Sequence, residues 1–116
     1  MQYILLIAGD EAFFQTTPKA ELEQVSAAYM VYTQAMHAAG VFVAGDRLHP
    51  SNMATTVRIR DGKTAVLNGP YAETREQLGG YYIIDVPDLD AALSWAARCP
   101  GASQGSIEVR PIFMMK

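Results

Sequence analysis

Two continuous apolar runs constrain this fold more than any other feature of the sequence. Tyr3–Ala8 is stopped by Gly9-Asp10, and Tyr81–Val86 follows a polar segment, Ala72–Leu78, in which we predict a short helical turn. Gly79-Gly80 is expected to break the chain between that turn and the second run. Short runs that are apolar at every position are typical of strands buried on both faces. We therefore predict two central strands of one sheet.

A long amphipathic helix is predicted after the first strand. It begins at Thr17-Pro18, where Thr17 is expected to cap the helix and Pro18 to take its first position, and it ends at Gly40. The segment before it, through Phe13 and Phe14, is predicted to be a loop. Apolar residues recur at steps of three and four and mark the face that packs on the sheet: Leu22, Val25, Tyr29, Tyr32, Met36 and Ala39.

A second helix and a last strand follow the second apolar run. Asp88 is expected to cap this helix, and Cys99-Pro100-Gly101 ends it. Ser106–Met114 alternates between apolar and polar residues, which predicts a strand. The core stripe of the helix is predicted to consist of Leu89, Leu93 and Ala96.

The middle of the chain predicts one more strand and a hairpin. Val41–Ala44 is expected to be a strand closed by Gly45-Asp46. Thr55–Arg60 and Thr64–Leu67 flank Asp61-Gly62, a strong signal for a two-residue hairpin turn. Without this hairpin, the order of elements is the βαββαβ pattern of the ferredoxin-like fold.

The sequence therefore predicts a single α+β domain over residues 1–116, because a chain of 116 residues has no room for a second domain. Helices can cover only one face of such a sheet, and the other face also carries apolar residues. A second copy packed sheet to sheet would cover it, giving a homodimer. The alternative is a monomer in which the inserted hairpin folds over that face.

Composition excludes several classes of function. The net charge is -3 and the basic residues are scattered, so we expect no nucleic-acid partner and no anionic membrane surface. No apolar run is long enough to span a bilayer. With one cysteine, Cys99, and two histidines, neither a disulfide nor an all-N/S zinc site is expected. No glycine-rich phosphate loop or other cofactor motif is present, and the absence of a signal-peptide pattern predicts a cytoplasmic protein.

The best candidates for acid–base catalysis are His49 and Asp46. The histidine lies three residues after the aspartate, just past a predicted strand end. A carboxylate beside an imidazole fixes its tautomer and raises its pKa, as a general base requires. The alternative is an exposed loop histidine beside a turn aspartate.

Five further residues are candidates for ligand binding: Asp10, Arg58, Glu73, Tyr82 and Arg110. Arginines on a sheet face can hold a carboxylate or phosphate through paired hydrogen bonds. Three of these candidates also have a structural interpretation. Asp10 can simply form a turn, Arg58 can guard a hairpin edge, and Arg110 can pair with Glu108.

Several segments together resemble one known family. The block from Asn68 to Leu93, which contains Asn-Gly-Pro-Tyr and Gly-Gly-Tyr-Tyr-Ile-Ile-Asp-Val-Pro, is similar to the YCII-related proteins of the DGPF-motif group. The same family resemblance extends to the opening segment, Met-Gln-Tyr-Ile-Leu-Leu-Ile-Ala-Gly-Asp-Glu, and to the closing segment, Ile-Glu-Val-Arg-Pro-Ile. Asn68 and Tyr71 stand where the naming motif has Asp and Phe, so any acidic role of that site is lost here.

The resemblance implies a ferredoxin-like, dimeric α+β barrel. For some YCII-type members it also implies an enzyme with a His–Asp pair whose histidine lies on the first helix. That pair is not carried over, because the middle of this helix has Ala28 and Tyr29 and His37 comes too late. Members of the DGPF group are often encoded beside extracytoplasmic-function sigma factors.

Two functional hypotheses follow. The first is a dimer that binds a small polar or anionic metabolite, with or without acid–base catalysis by His49 and Asp46. The second is a non-catalytic regulatory module that binds a protein partner, such as a sigma factor, through the hairpin at residues 55–67.

Overall fold

The structure, a computed structural model that describes residues 1–114, combines a four-stranded sheet, a separate hairpin and three helices. The strands are β1 Gln2–Gly9, β2 Phe42–Arg47, β3 Thr55–Arg60, β4 Lys63–Asn68, β5 Gln77–Asp85 and β6 Ser106–Pro111. The helices are α1 Ala12–Thr16, α2 Lys19–Ala38 and α3 Leu89–Arg98, and short 3-10 helices occupy Ser51–Met53 and Pro100–Ser103.

The two apolar runs form the centre of the sheet, as predicted. The strand order is β2-β5-β1-β6, and every neighbouring pair is antiparallel. Opposite pairs in the centre include Tyr3 with Ile84 and Leu5 with Tyr82. The mixed α+β class predicted from the sequence is confirmed, with antiparallel sheets throughout.

The core lies between one face of the sheet and the helices α2 and α3. Leu5, Met36 and Ile84 are fully buried in it. Tyr32 on α2 donates its hydroxyl hydrogen to the Trp95 carbonyl oxygen on α3 at 2.7 Å. This bond joins the two helices above the sheet and satisfies a polar group that would otherwise be buried without a partner.

Two glycine-containing dipeptides lie inside strands, where the sequence predicted boundaries. Gly79-Gly80 belongs to β5, and Gly45-Asp46 belongs to β2 rather than closing it. A Cβ on Gly80 would lie 2.9 Å from the Asp46 carbonyl oxygen, so the glycine permits a close approach of the two backbones. The predicted helical turn in Ala72–Leu78 is also wrong, because Gln77 and Leu78 begin β5.

The helix boundaries and faces differ in part from prediction. Phe13 and Phe14 lie in α1 rather than in a loop, and α2 begins at Lys19 with Pro18 as its N-cap residue and no side-chain cap from Thr17. The Asp88 cap is confirmed, since its Oδ1 accepts from the Ala91 N–H at 2.9 Å.

The predicted core stripe of α3 is wrong at two of its three positions. Leu89 and Leu93 are about half exposed, whereas Ala92 and Ala96 are buried. The small alanine side chains let the helix lie close to the sheet. The last strand ends at Pro111 rather than at Met114.

The hairpin of β3 and β4 has the predicted turn and lies outside the core. Asp61 and Gly62 both adopt left-handed backbone conformations, with φ of 51° and 74°. Every residue of β4 is exposed, and Val57, Ile59 and Val66 are each at least 60% exposed. The monomeric alternative required this hairpin to bury itself against the open face of the sheet, and the exposure of β4 contradicts it.

No helix in residues 1–114 is long and apolar enough to cross a membrane.

Candidate functional site

A cavity of about 690 Å³ lies between the sheet and the helices, at the end where β1 and β2 finish and β5 begins. We call it the helix-side cavity. The helix α1, residues 22–33 of α2 and the loop after β2 complete its walls. Its apolar lining consists mainly of Ile7, Phe13, Phe14, Leu22, Val25, Phe42 and the rings of Tyr29 and Tyr82.

A second cavity, of about 720 Å³, opens on the other face of the sheet. We call it the open-face cavity. Leu6 and Ala8 of β1 form its floor, and Met53, Tyr71 and Glu108 are among the residues around it. The two cavities share the wall made by residues 48–50 and Gln77.

His49 lies in this shared wall and lines both cavities. The loop that carries it is fixed at both ends. The Leu48 N–H donates to the Gly79 carbonyl oxygen at 2.9 Å, and the Glu11 carboxylate accepts from the Ser51 N–H at 2.6 Å and from its hydroxyl at 2.8 Å. The position of the imidazole therefore depends on Glu11, which follows β1.

Asp46 interacts with Tyr81 and not with His49. The Tyr81 hydroxyl donates to Asp46 Oδ2 at 2.6 Å, and this hydrogen bond raises the pKa of Tyr81. Within the described part of the chain, no hydrogen bond or ion pair joins Asp46 to His49. Both residues border the helix-side cavity. Side chains alternate along a strand, so Asp46 and Tyr81 point to the face opposite Gly45 and Tyr82, and the Asp46 carboxylate lies on the open face of the sheet.

Four of the seven predicted site residues converge on the helix-side cavity: Asp10, Asp46, His49 and Tyr82. Asp10 also makes the turn foreseen for it, because its Oδ1 accepts from the Ala12 N–H at 2.9 Å. They come from the ends of β1 and β2, from the loop after β2 and from the middle of β5. The topology thus brings together residues that are far apart in the sequence.

The other three predicted residues lie elsewhere. Arg58, on the hairpin, places its guanidinium 5.4 Å from the centre of the Tyr71 ring. Arg110 pairs with Glu108 at 2.9 Å on the exposed surface, as its structural interpretation proposed. Glu73 lies in the exposed loop before β5.

Polar groups that the sequence analysis did not select also line the helix-side cavity. Thr33 Oγ1 lies 2.8 Å from the Tyr82 hydroxyl oxygen and donates to the Tyr29 carbonyl oxygen at 2.9 Å. Arg47 lies with its guanidinium 5.7 Å from the centre of the Phe14 ring. A signal for Thr33 existed, because it follows Tyr29 by four residues and so lies on the same face of α2.

Burial keeps the phenol of Tyr29 protonated. Desolvation raises its pKa, and the neighbouring Cys99 raises it further. Burial also raises the pKa values of Tyr82 and Cys99. The phenols of Tyr29 and Tyr82 in the cavity wall are therefore uncharged well above neutral pH.

Within residues 1–114, no group of three or more His, Cys, Asp or Glu side chains could hold a metal ion.

These features define an α+β protein with a cavity between an antiparallel sheet and its covering helices. Comparison with known families identifies it more closely, because the YCII-related domain matches residues 1–116. The chain belongs to the YCII-related family.

One sequence relative and one solved structure are similar to this chain. A protein of Rhizobium meliloti (strain 1021), described as uncharacterised, is 39% identical over 118 residues, covering 100% of this chain and 95% of the relative. The 5-chloro-2-hydroxyhydroquinone dehydrochlorinase of Burkholderia phenoliruptrix AC1100, solved with 2,5-dihydroxybenzoquinone, is similar in fold. Its TM-score is 0.58 at 13% identity, covering 97% of this chain and 94% of the dehydrochlorinase.

Proposed function

We propose that this protein binds a small polar molecule with an unsaturated ring in the helix-side cavity, and that His49 can transfer a proton to or from it. The observation that carries the proposal is the convergence of Asp10, His49 and Tyr82 on one cavity. An apolar cavity with a few convergent polar groups is the usual form of a small-molecule site.

The lining favours a ring compound over an extended chain. Phe13 and Phe14 meet edge to face with their ring centres 5.3 Å apart, and Tyr82 and Phe42 form another aromatic wall. Such surfaces bind flat rings well, and polar groups at the rim suit oxygen substituents. The dehydrochlorinase of similar fold, which was solved with an oxygenated six-membered ring, supports this choice.

In this proposal His49 is the acid–base group. The imidazole is exposed at the boundary of the two cavities, where it can exchange protons with solvent. Asp46 is not needed for this site, because its carboxylate accepts from the Tyr81 hydroxyl on the other face of the sheet. Arg58, Glu73 and Arg110 are not needed for this site.

The test compares a histidine variant with a control on α2. His49→Ala should weaken the binding of hydroquinone, used as a ring probe, while changing the melting temperature little, because the side chain is exposed. Gln34→Ala is the control, since Gln34 is exposed on α2 and lies outside the lining of both cavities. If the two variants bind hydroquinone equally well, His49 is not part of the site.

We further propose that the protein is a homodimer, a ferredoxin-like α+β barrel in which two sheets pack face to face. The uncovered face carries Ile4, Leu6 and Ile83, and the hairpin exposes three more β-branched side chains. A second copy on this face would also close the open-face cavity, and so cover the second side of His49. Exposed apolar surface of this extent is typical of an interface.

Light scattering after size-exclusion chromatography tests the dimer. Leu6→Lys, on the open face, should give a monomer, because it places a charge in the interface. Met30→Lys is the control, since Met30 lies 64% exposed on α2. A monomeric wild type, or a Leu6→Lys variant that remains dimeric, would contradict the arrangement.

The regulatory hypothesis, with a sigma factor as partner, and the cytoplasmic location stay predictions.

A further inference from the structure

One hydroxyl group in the helix-side cavity is held in a single orientation. The Tyr82 hydroxyl oxygen lies 2.8 Å from Thr33 Oγ1. The Thr33 hydroxyl already donates to the Tyr29 carbonyl oxygen, one turn earlier on α2, at 2.9 Å. A threonine hydroxyl has one hydrogen, so it has none left for Tyr82. Tyr82 must therefore donate to Thr33.

This orientation decides what Tyr82 can offer to a bound molecule. Its only hydrogen is directed at Thr33, so its oxygen presents only lone pairs to the cavity. Burial raises the pKa of Tyr82, which keeps the oxygen uncharged. A neutral acceptor surrounded by apolar walls interacts well with a hydroxyl or amino hydrogen and poorly with another lone pair.

We propose that the helix-side cavity selects ligands that present a hydroxyl or amino hydrogen to the Tyr82 oxygen, with Thr33 as the positioning residue that sets this selectivity. The inference rests on the proposed function of the cavity. A ligand of the same shape whose oxygen carries no hydrogen would place two acceptors against each other where water is excluded. A site built for a ligand hydrogen rejects analogues that lack it, because its own polar group is then left unpaired.

The test compares two probes that differ in this hydrogen. Hydroquinone carries two hydroxyl hydrogens, and its dimethyl ether carries none. Dissociation constants from NMR titration of the purified full-length protein should favour hydroquinone by about tenfold, which corresponds to about 1.4 kcal/mol. Because methylation also changes size and solvation, the informative quantity is how this ratio changes among variants.

Three variants and one control isolate the effect. Thr33→Val frees the Tyr82 hydroxyl to turn and donate, and Tyr82→Phe removes the acceptor, so both should bring the ratio close to one. Thr33→Ser keeps a hydroxyl and should restore the wild-type ratio. Tyr32→Phe is the matched control. It removes the hydroxyl of a buried tyrosine on α2, the helix that carries Thr33, and Tyr32 lies outside the cavity lining.

The outcomes separate this inference from the proposed function. If the wild type binds both probes equally, or if Thr33→Val and Tyr82→Phe keep the wild-type ratio, the inference is wrong and the cavity remains a ligand site. If neither probe binds, the proposed function fails and the inference fails with it. Should Thr33→Val not fold, Tyr82→Phe and Thr33→Ser still decide the result.

Discussion

Adding one methyl group at Gly45 should disturb the fold and the cavity together. Gly45 lies on the edge strand β2, opposite Tyr82 in the neighbouring strand. A Cβ there would lie 2.6 Å from Tyr82 Cδ1 and 2.9 Å from Cε1. Carbon atoms pack at about 3.5 to 4.0 Å, so the ring must move by about 1 Å. A shift of this size would also break the hydrogen bond between Tyr82 and Thr33.

The expected cost follows from these contacts. Overpacking a core costs about 1 to 3 kcal/mol, and losing the hydroxyl hydrogen bond costs about 1 kcal/mol. Replacing glycine by alanine in a strand gains about 0.5 to 1 kcal/mol in chain entropy, which offsets part of this loss. We therefore expect Gly45→Ala to lower the free energy of unfolding by about 1 to 3 kcal/mol.

Urea unfolding tests this reasoning on four variants: Gly45→Ala, Gly79→Ala, Tyr82→Leu, and Gly45→Ala combined with Tyr82→Leu. Gly79→Ala is the control, because the nearest atom to its Cβ would be the Ile7 carbonyl oxygen at 3.9 Å, an ordinary contact. Gly45→Ala is then repeated in a Tyr82→Leu background, where the ring is gone and the cost should nearly vanish. The reasoning is refuted if Gly45→Ala is as harmless as Gly79→Ala, or if it costs the same in both backgrounds.

Three further predictions concern stability and reactivity. Asp88→Ala removes the cap of α3 and should lower the free energy of unfolding by about 1 kcal/mol, measured by urea unfolding; no change would show that the cap is not needed. Tyr32 has a raised pKa because of burial, so the unfolded chain loses this proton first as the pH rises. Stability should be unaffected below the ordinary tyrosine pKa of about 10 and fall above it, and Tyr32→Phe should make that fall shallower. Cys99 is buried and its pKa is raised, so iodoacetamide should modify it only in denaturant; rapid labelling of the native protein would contradict its burial.

Local sequence patterns predicted the central strands because an unbroken apolar run of this length is typical of a strand in the middle of a sheet. In the described structure alternate residues of these strands are buried against the helices. Tyr3–Ala8 and Tyr81–Val86 needed no partner to be recognised. The hairpin turn at Asp61-Gly62 was equally local, since its backbone conformation depends on the turn residues themselves. Together with the periodicity of the two helices, these local features predict the α+β class without knowledge of any tertiary contact.

Features that depend on tertiary contacts could not be predicted in this way. The sequence predicts that Gly79-Gly80 ends a helical turn, but both glycines lie inside β5, and Gly80 permits the backbone of β2 to approach closely. Asp46 was matched with His49 by proximity in the sequence, whereas its hydrogen-bond partner is Tyr81, 35 residues away. The large Leu93 was preferred for the core of α3, and the small Ala92 is buried instead.

The candidate site was predictable in its chemistry more than in its geometry. His49 and Tyr82 were chosen for their side chains, and strand pairing brought them to one cavity. The spacing of four residues from Tyr29 places Thr33 on the same face of α2, but that spacing alone does not separate a packing role from a functional one. The significance of Thr33 comes from the hydrogen bonds that it makes to Tyr29 and Tyr82.

The most direct test of a ligand cavity within a dimer is native mass spectrometry of the purified protein after incubation with a host metabolite extract. The account predicts a dimer that carries a defined small mass. Val25→Trp, which places a large side chain in the cavity wall, should remain a dimer and lose that mass. A monomer, a dimer without the added mass, or an adduct that persists unchanged in Val25→Trp would contradict the account.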